Sequence, residues 1–186
     1  MAYTTIDKSS LHFNTVQWTG NASTNAITGV GFRPDWIWGK SHTSGYSHQL
    51  YDVVRGATYS LKTNGYTAQE TLSTGLTSFD SDGFTVEDGD NGNASGANGV
   101  SWNWKAGTTG SGNTGGSGTY KAYSYSVNTT AGFSIIKYVG NGTAGHTIPH
   151  HLGGVPEWIL VKDLDATVNW QMYHVKTGND YTTEIN

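Results

Sequence analysis

Two long stretches of this chain are versions of each other, and that duplication limits the possible folds more than any single residue does. FNTVQWTGNAS, Phe13 to Ser23, matches FSIIKYVGNGT, Phe133 to Thr143, 120 positions on. FRPDWIWGK, Phe32 to Lys40, returns as GVPEWILVK, Gly154 to Lys162, pairing Pro34 with Pro156, Trp36 with Trp158 and Lys40 with Lys162 at an offset of 122. At that same offset QLYDV from Gln49 meets QMYHV from Gln171, and Gly56 and Tyr59 meet Gly178 and Tyr181. Similarity of this length at a nearly fixed spacing marks a duplicated module. The second copy reaches Asn186 in register with Asn64, so the reading is one full unit and the opening of a second.

Each unit has the makings of β structure. Charged residues are only 13% of the chain, while 26 Gly, 7 Trp and 11 Tyr supply turns and large rings, a mixture typical of all-β domains. Val100 to Lys105 alternates strictly, with Val100, Trp102 and Trp104 on one face and Ser101, Asn103 and Lys105 on the other. Asp35 to Lys40 and His48 to Val54 read as further strands, and Thr77 to Val86 as a hairpin around Asp-Ser-Asp-Gly. The prediction is an antiparallel β-sandwich, jelly-roll-like or lectin-like, with a partial second copy. Residues 1–12 form an N-terminal arm, 13–106 the first module, 107–119 a flexible Gly/Ser-rich linker and 120–186 the incomplete second module. Trp36, Trp38, Trp102 and Trp104 are expected to face the core.

Several function classes are excluded by composition. A net charge of −4 without any Lys/Arg cluster leaves no footprint for nucleic acid. The absence of cysteine removes disulfides and thiolate metal sites. The apolar runs are too short for membrane insertion, and MAYTTIDKSS lacks the blocks of a signal peptide.

Candidate chemistry is sparse. Asp80, Asp82, Glu87, Asp88 and Asp90 are oxygen ligands of the type calcium takes, without the EF-hand spacing, and read as turn formers. His146, His150 and His151 lie in a Pro/Gly turn and not on a rigid element, so no metal or cofactor is expected. Glu70 with Glu87 or Asp80 could pair for glycoside hydrolysis, but no spacing selects a pair. Asn21, Asn93, Asn128 and Asn141 stand in N-x-Ser/Thr triplets and read as turn residues. Arg55, in VVRGAT, stands just after a strand, placed to pair an acid or reach outward. Tyr46, His48, Tyr51, Tyr66 and Trp170 lie in or beside polar loops and are the candidate glycan-binding residues, since an exposed ring stacks on the apolar face of a sugar.

MAYTTID, FRPDWIWGK, YDVVRGAT, SFDSDGFTV, WNWKAG and TTAGFSIIKYVGNGTAGHTIPHHLGG, in this order, resemble a family of bacteriophage tail-fibre and virion surface proteins of the marine-phage type. The resemblance implies a non-enzymatic structural virion protein made in the host cytoplasm: a tail fibre or appendage component that contacts host surface glycans. Its implied partners are other virion proteins and further copies of itself, in a homotrimer or another symmetric homo-oligomer. The alternatives are a capsid- or collar-associated decoration or adaptor protein, and a polysaccharide-degrading enzyme.

Overall fold

The computed structural model describes residues 6–88, 92–180 and 183–185. Residues 1–5 of the arm, Asp90 and Tyr181 lie outside these. Among the described residues the first unit has nine strands: β1 (Phe13–Thr19), β2 (Asn25–Thr28), β3 (Trp36–Ser41), β4 (Gln49–Asp52), β5 (Tyr59–Lys62), β6 (Glu70–Thr71), β7 (Leu76–Asp80), β8 (Gly83–Val86) and β9 (Asn98–Trp104). Every pairing among them is antiparallel.

The central strand is β9. It lies between β1 and β3 in a six-stranded sheet of order β1-β9-β3-β4-β5-β6, although it comes last in sequence. A second sheet, β2-β8-β7, packs on one face of the first. Ile37 and Tyr51 from the large sheet meet Ile27, Leu76, Phe84 and Val86 from the small one, and Val16 and Trp18 pack at the margin. The chain is an all-β protein of antiparallel sheets, and its first unit is a β-sandwich.

The alternation of β9 is as the sequence indicates, but its buried side is the other one. Gly99, Ser101 and Asn103 point into the sandwich, and Val100, Trp102 and Trp104 lie half-buried on the outer face. The polar side can be buried because its groups satisfy one another. Asn103 Nδ2 donates to Asn14 O at 3.1 Å and to Ser101 Oγ at 3.0 Å, while Ser101 Oγ donates to Asn103 Oδ1 at 3.2 Å. Gly99 leaves room for the Trp18 ring, which covers the place a Cβ would take. The expectation that the four tryptophans face the core is therefore corrected: they form the outer layer of the large sheet.

The linker also differs from its prediction. Thr108–Asn113 is a strand, β10, followed by the short β11 (Gly115–Gly116), β12 (Ala122–Asn128), β13 (Phe133–Tyr138) and β14 (His146–Thr147). β10 pairs with β12 so that Gly110 faces Tyr125 and Gly112 faces Tyr123. A Cβ on Gly110 would stand 2.6 Å from the Tyr125 hydroxyl, so the glycines are the recess into which the rings fold. Glycine alternating with a facing tyrosine gives order to a sequence that composition reads as flexible.

The second copy repeats part of the first, with several equivalent bonds. β15 (Trp158–Val161), β16 (Gln171–His174) and β17 (Thr183–Glu184) reproduce β3, β4 and β5 with the same register: Trp36 faces Asp52 and Trp158 faces His174. Val53 N donates to Asp35 O at 2.9 Å, and Val175 N to Glu157 O at 2.8 Å. Lys40 Nζ donates to the carbonyls of Ser41 and Ser44, Lys162 Nζ to those of Asp163 and Ala166. Asn21 and Asn141 accept from the amides of Ser23 and Thr143, both at 2.9 Å. These are Asx turns, which satisfy the backbone locally.

Candidate binding surface

The outer face of the large sheet carries a ladder of rings set by register. Phe13 lies 4.7 Å from Trp104, Trp104 lies 4.6 Å from Trp36, and Trp38 lies 5.7 Å from Trp102, centroid to centroid. The later part of the chain covers two regions of this face. Phe133 of β13 packs on Trp36 and Trp104. Trp170 joins Leu50 and Leu61 in a buried cluster, against which Trp36, Trp38, Leu160, Leu164 and Ile185 pack. Left beside these is a corner around Trp38 and Trp102, next to the exposed Thr15 and Gln17 of β1.

Three of the five candidate glycan residues, Tyr46, His48 and Tyr66, lie on the loops at this end of the sheet. His48 precedes β4, and its ring lies 5.9 Å from Trp38. Its amide donates to Asn64 Oδ1 at 2.9 Å, and Thr63 N donates back to His48 O at 3.4 Å, which ties the β3–β4 loop to the turn after β5. Tyr46 stands two residues ahead and Tyr66 two residues beyond, 39% and 55% exposed. Inside the corner Trp38 Nε1, His48 Nδ1 and Thr63 Oγ1 are buried without a hydrogen-bond partner. Burial, with Lys40 nearby, pushes the His48 pKa down, so the ring is neutral at physiological pH and offers both a donor and an acceptor. Buried polar atoms without a partner cost stability, so these three are a local weak point of the sheet.

Tyr51 and Trp170 are corrections. Tyr51 is 2% exposed and belongs to the sandwich core. β4 is buried along its whole length, because the large sheet is covered on one face by the small sheet and on the other by the second copy. Trp170 is 3% exposed, and its Nε1 donates to Lys62 O at 3.0 Å. It occupies the repeat position of His48 and acts as the bolt between the two copies, not as a sugar platform.

The remaining candidates are used structurally. Asp82 accepts from Gly29 N at 3.0 Å and Gly31 N at 2.5 Å, Asp80 from Ser78 and Thr85 hydroxyls at 2.8 Å each, and Glu87 from Thr24 Oγ1 at 2.8 and 3.0 Å. Glu70 pairs with Lys62 at 2.8 Å. Arg55 turns inward, its Nε 2.5 Å from Asp52 Oδ2 and its other nitrogens on Tyr59 O, Gln69 Oε1 and Leu50 O. Asn93, fully buried, donates to Ser23 O and Glu87 O and accepts from Asn21 N and Asn25 Nδ2. Of the histidine cluster, His146 bonds Thr114 Oγ1 at 2.5 Å, while His151 stacks on Tyr125 at 3.8 Å and bonds Tyr123 at 2.9 Å. Among the described residues no three His, Cys, Asp or Glu side chains are grouped to hold a metal ion.

Sequence reasoning missed Trp38 and Trp102 as surface residues. The signal was present: the opposite side of β9, Ser101 and Asn103, carries complementary donors and acceptors two residues apart. No curated protein and no solved structure matches the chain. Residues 8–186 match the family described as a domain of unknown function (DUF7483), and the chain belongs to that family.

Proposed function

We propose that the chain is a non-catalytic structural component of a bacteriophage particle, a tail-fibre or appendage module, that contacts host-surface glycan at the Tyr46–His48–Tyr66 corner. The phage setting rests on the sequence resemblance. The observation that supports the binding role is the pair of exposed tyrosines, Tyr46 and Tyr66, on two loops tied together by the bonds between His48 and the Thr63–Asn64 turn. A sugar complements such a surface, since its C–H face lies against an exposed ring. Assembly into a homotrimer or another symmetric oligomer accords with the exposed strand edges of the second copy, which a lone chain leaves open to solvent.

The test is a glycan array of bacterial surface saccharides followed by titration calorimetry on the strongest binder. Tyr66→Ala and His48→Ala each lower affinity by about tenfold, roughly 1.4 kcal/mol, whereas Tyr120→Ala, at another exposed tyrosine, changes nothing. Binding to no glycan, or equal affinity in all three variants, overturns the glycan role and leaves the decoration or adaptor reading. Light scattering at micromolar concentration that gives a monomer overturns the oligomer.

A further inference from the structure

We propose that Asn64–Gly65 is a self-modification site, at which the folded chain converts asparagine to aspartate and isoaspartate in water alone. The inference is independent of the glycan reading. The chemistry needs an asparagine carboxamide that the nitrogen of the next residue can reach, and a next residue with no side chain in the way. The dipeptide Asn-Gly supplies both, and it occurs at Asn64, Asn91, Asn98 and Asn141. Asn91 lies outside the described residues. The fold treats the other three differently.

Asn98 and Gly99 are held in the central strand. Asn98 faces Thr19 and Gly99 faces Trp18 in the β1–β9 pairing, and Gly99 also faces Ser41 of β3. With strands on both sides and the Trp18 ring over Gly99, this backbone cannot bend to close a ring. Asn141 is in a loop, but its carboxamide is held at both ends. Its Oδ1 accepts from Thr143 N at 2.9 Å, and its Nδ2 donates to Ser117 O at 2.9 Å and to Thr119 O at 3.0 Å. Turning this carboxamide toward Gly142 N breaks those bonds.

Asn64 has neither restraint. It is exposed in the turn after β5, and among the described residues the one hydrogen bond of its side chain is Oδ1 accepting from His48 N at 2.9 Å. Nδ2, the leaving group, is therefore free. The His48 amide donates to the very oxygen that gains negative charge when the carbonyl carbon is attacked, as a donor in an oxyanion hole does. Gly65 is not packed in, since a Cβ there would meet nothing nearer than Lys62 Cβ at 3.9 Å.

In the reaction Gly65 N gives its proton to water and bonds to Asn64 Cγ. The Cγ–Nδ2 bond breaks, ammonia leaves, and a cyclic imide remains. Water then opens the imide. Addition at Cγ breaks its bond to Gly65 N and gives aspartate; addition at the main-chain carbonyl carbon of residue 64 breaks that carbon's bond to Gly65 N and gives isoaspartate. Nothing is oxidised or reduced. Either product adds a negative charge beside the tie to His48, and isoaspartate also lengthens the main chain by one carbon between β5 and Tyr66.

Peptide mapping by mass spectrometry of the intact chain, aged in mildly alkaline buffer, tests this. Amide loss at Asn64 runs about tenfold or more ahead of loss at Asn98 and Asn141, and both aspartate and isoaspartate are found there. In the chain unfolded by urea the three sites react at similar rates, because each is the same dipeptide. Gly65→Ala slows the loss at Asn64 and leaves the other two sites unchanged. An Asn64 that stays intact, loss at Asn98 or Asn141 that keeps pace with it in the folded chain, or the same lead for Asn64 in urea as in the folded chain overturns the proposal.

Discussion

Ile37 and Ile159 occupy the same position in two copies of one module, with the same cross-strand tyrosine opposite, Tyr51 and Tyr173, yet Ile37 is 2% exposed and Ile159 40%. The difference lies in their surroundings. Ile37 has β9 beside it and the β2-β8-β7 sheet above it, while β15 has only β16 and β17. Identical side chains therefore carry unequal weight. Ile37→Ala lowers stability by about 2–5 kcal/mol, as deletion of a core methyl cluster does, and Ile159→Ala by no more than about 0.5 kcal/mol, as at an exposed site. Urea unfolding of the two variants reads the contrast directly.

The buried Arg55–Asp52 pair is the next test. Both side chains are under 7% exposed, and Arg55 also holds three acceptors from Leu50, Tyr59 and Gln69. Removing one member strands the other charge away from water, which costs about 3–5 kcal/mol. Arg55→Met shows that loss in urea unfolding. The repeat position of Arg55 is Thr177, whose hydroxyl donates to His174 O at 2.8 Å on the surface. Thr177→Ala costs about 1 kcal/mol or less, so the second copy keeps the turn without the ion pair.

Glycines facing aromatic rings recur, and their replacement separates a locked ring from a movable one. A Cβ on Gly99 would overlap the Trp18 ring, which is wedged edge-on against Phe84 in the core. Gly99→Ala therefore overpacks the sandwich and costs about 1–3 kcal/mol. A Cβ on Gly110 meets the hydroxyl end of Tyr125, a half-buried ring at the surface. Gly110→Ala costs less than Gly99→Ala, and Tyr125→Ala in the same chain removes the remaining penalty. A thermal-melt double-mutant cycle measures the coupling.

How far the fold could be read from residues is clearest in β9 and β10. The period of two at Val100 to Lys105 gives the strand, and the duplication matches β13, β15 and β16 to β1, β3 and β4. Neither says which face another sheet will cover, because periodicity separates two faces without ranking them. Ser101 and Asn103 went inside because they pair with each other and with Asn14, a fact of three dimensions. β10 was illegible for a related reason: Gly110 and Gly112 describe a flexible chain until Tyr125 and Tyr123 are set across from them. At the candidate surface, Tyr46, His48 and Tyr66 could be chosen from polar loops. Tyr51 and Trp170 look the same in sequence, and only the second copy packing on the first buries Trp170.

Asp35 gives the molecule a pH dependence of definite sign. Its side chain is 3% exposed, and Ala106 N donates to Oδ2 at 2.8 Å. Burial raises its pKa above the ordinary 3.8, outweighing the Ala106 bond, Arg33 and the other groups that lower it. The folded state thus holds this proton more tightly than the unfolded chain does. The stability Asp35 contributes is complete below pH 3.8 and is lost as pH rises through the raised folded value. Asn at this position still accepts from Ala106 and carries no charge to desolvate. The melting temperature of Asp35→Asn therefore gains on the wild type as pH climbs from about 4 and levels off once Asp35 is ionised in both states. A difference that is flat across this range, or that shrinks with rising pH, would show that the buried carboxylate is already compensated by its neighbours.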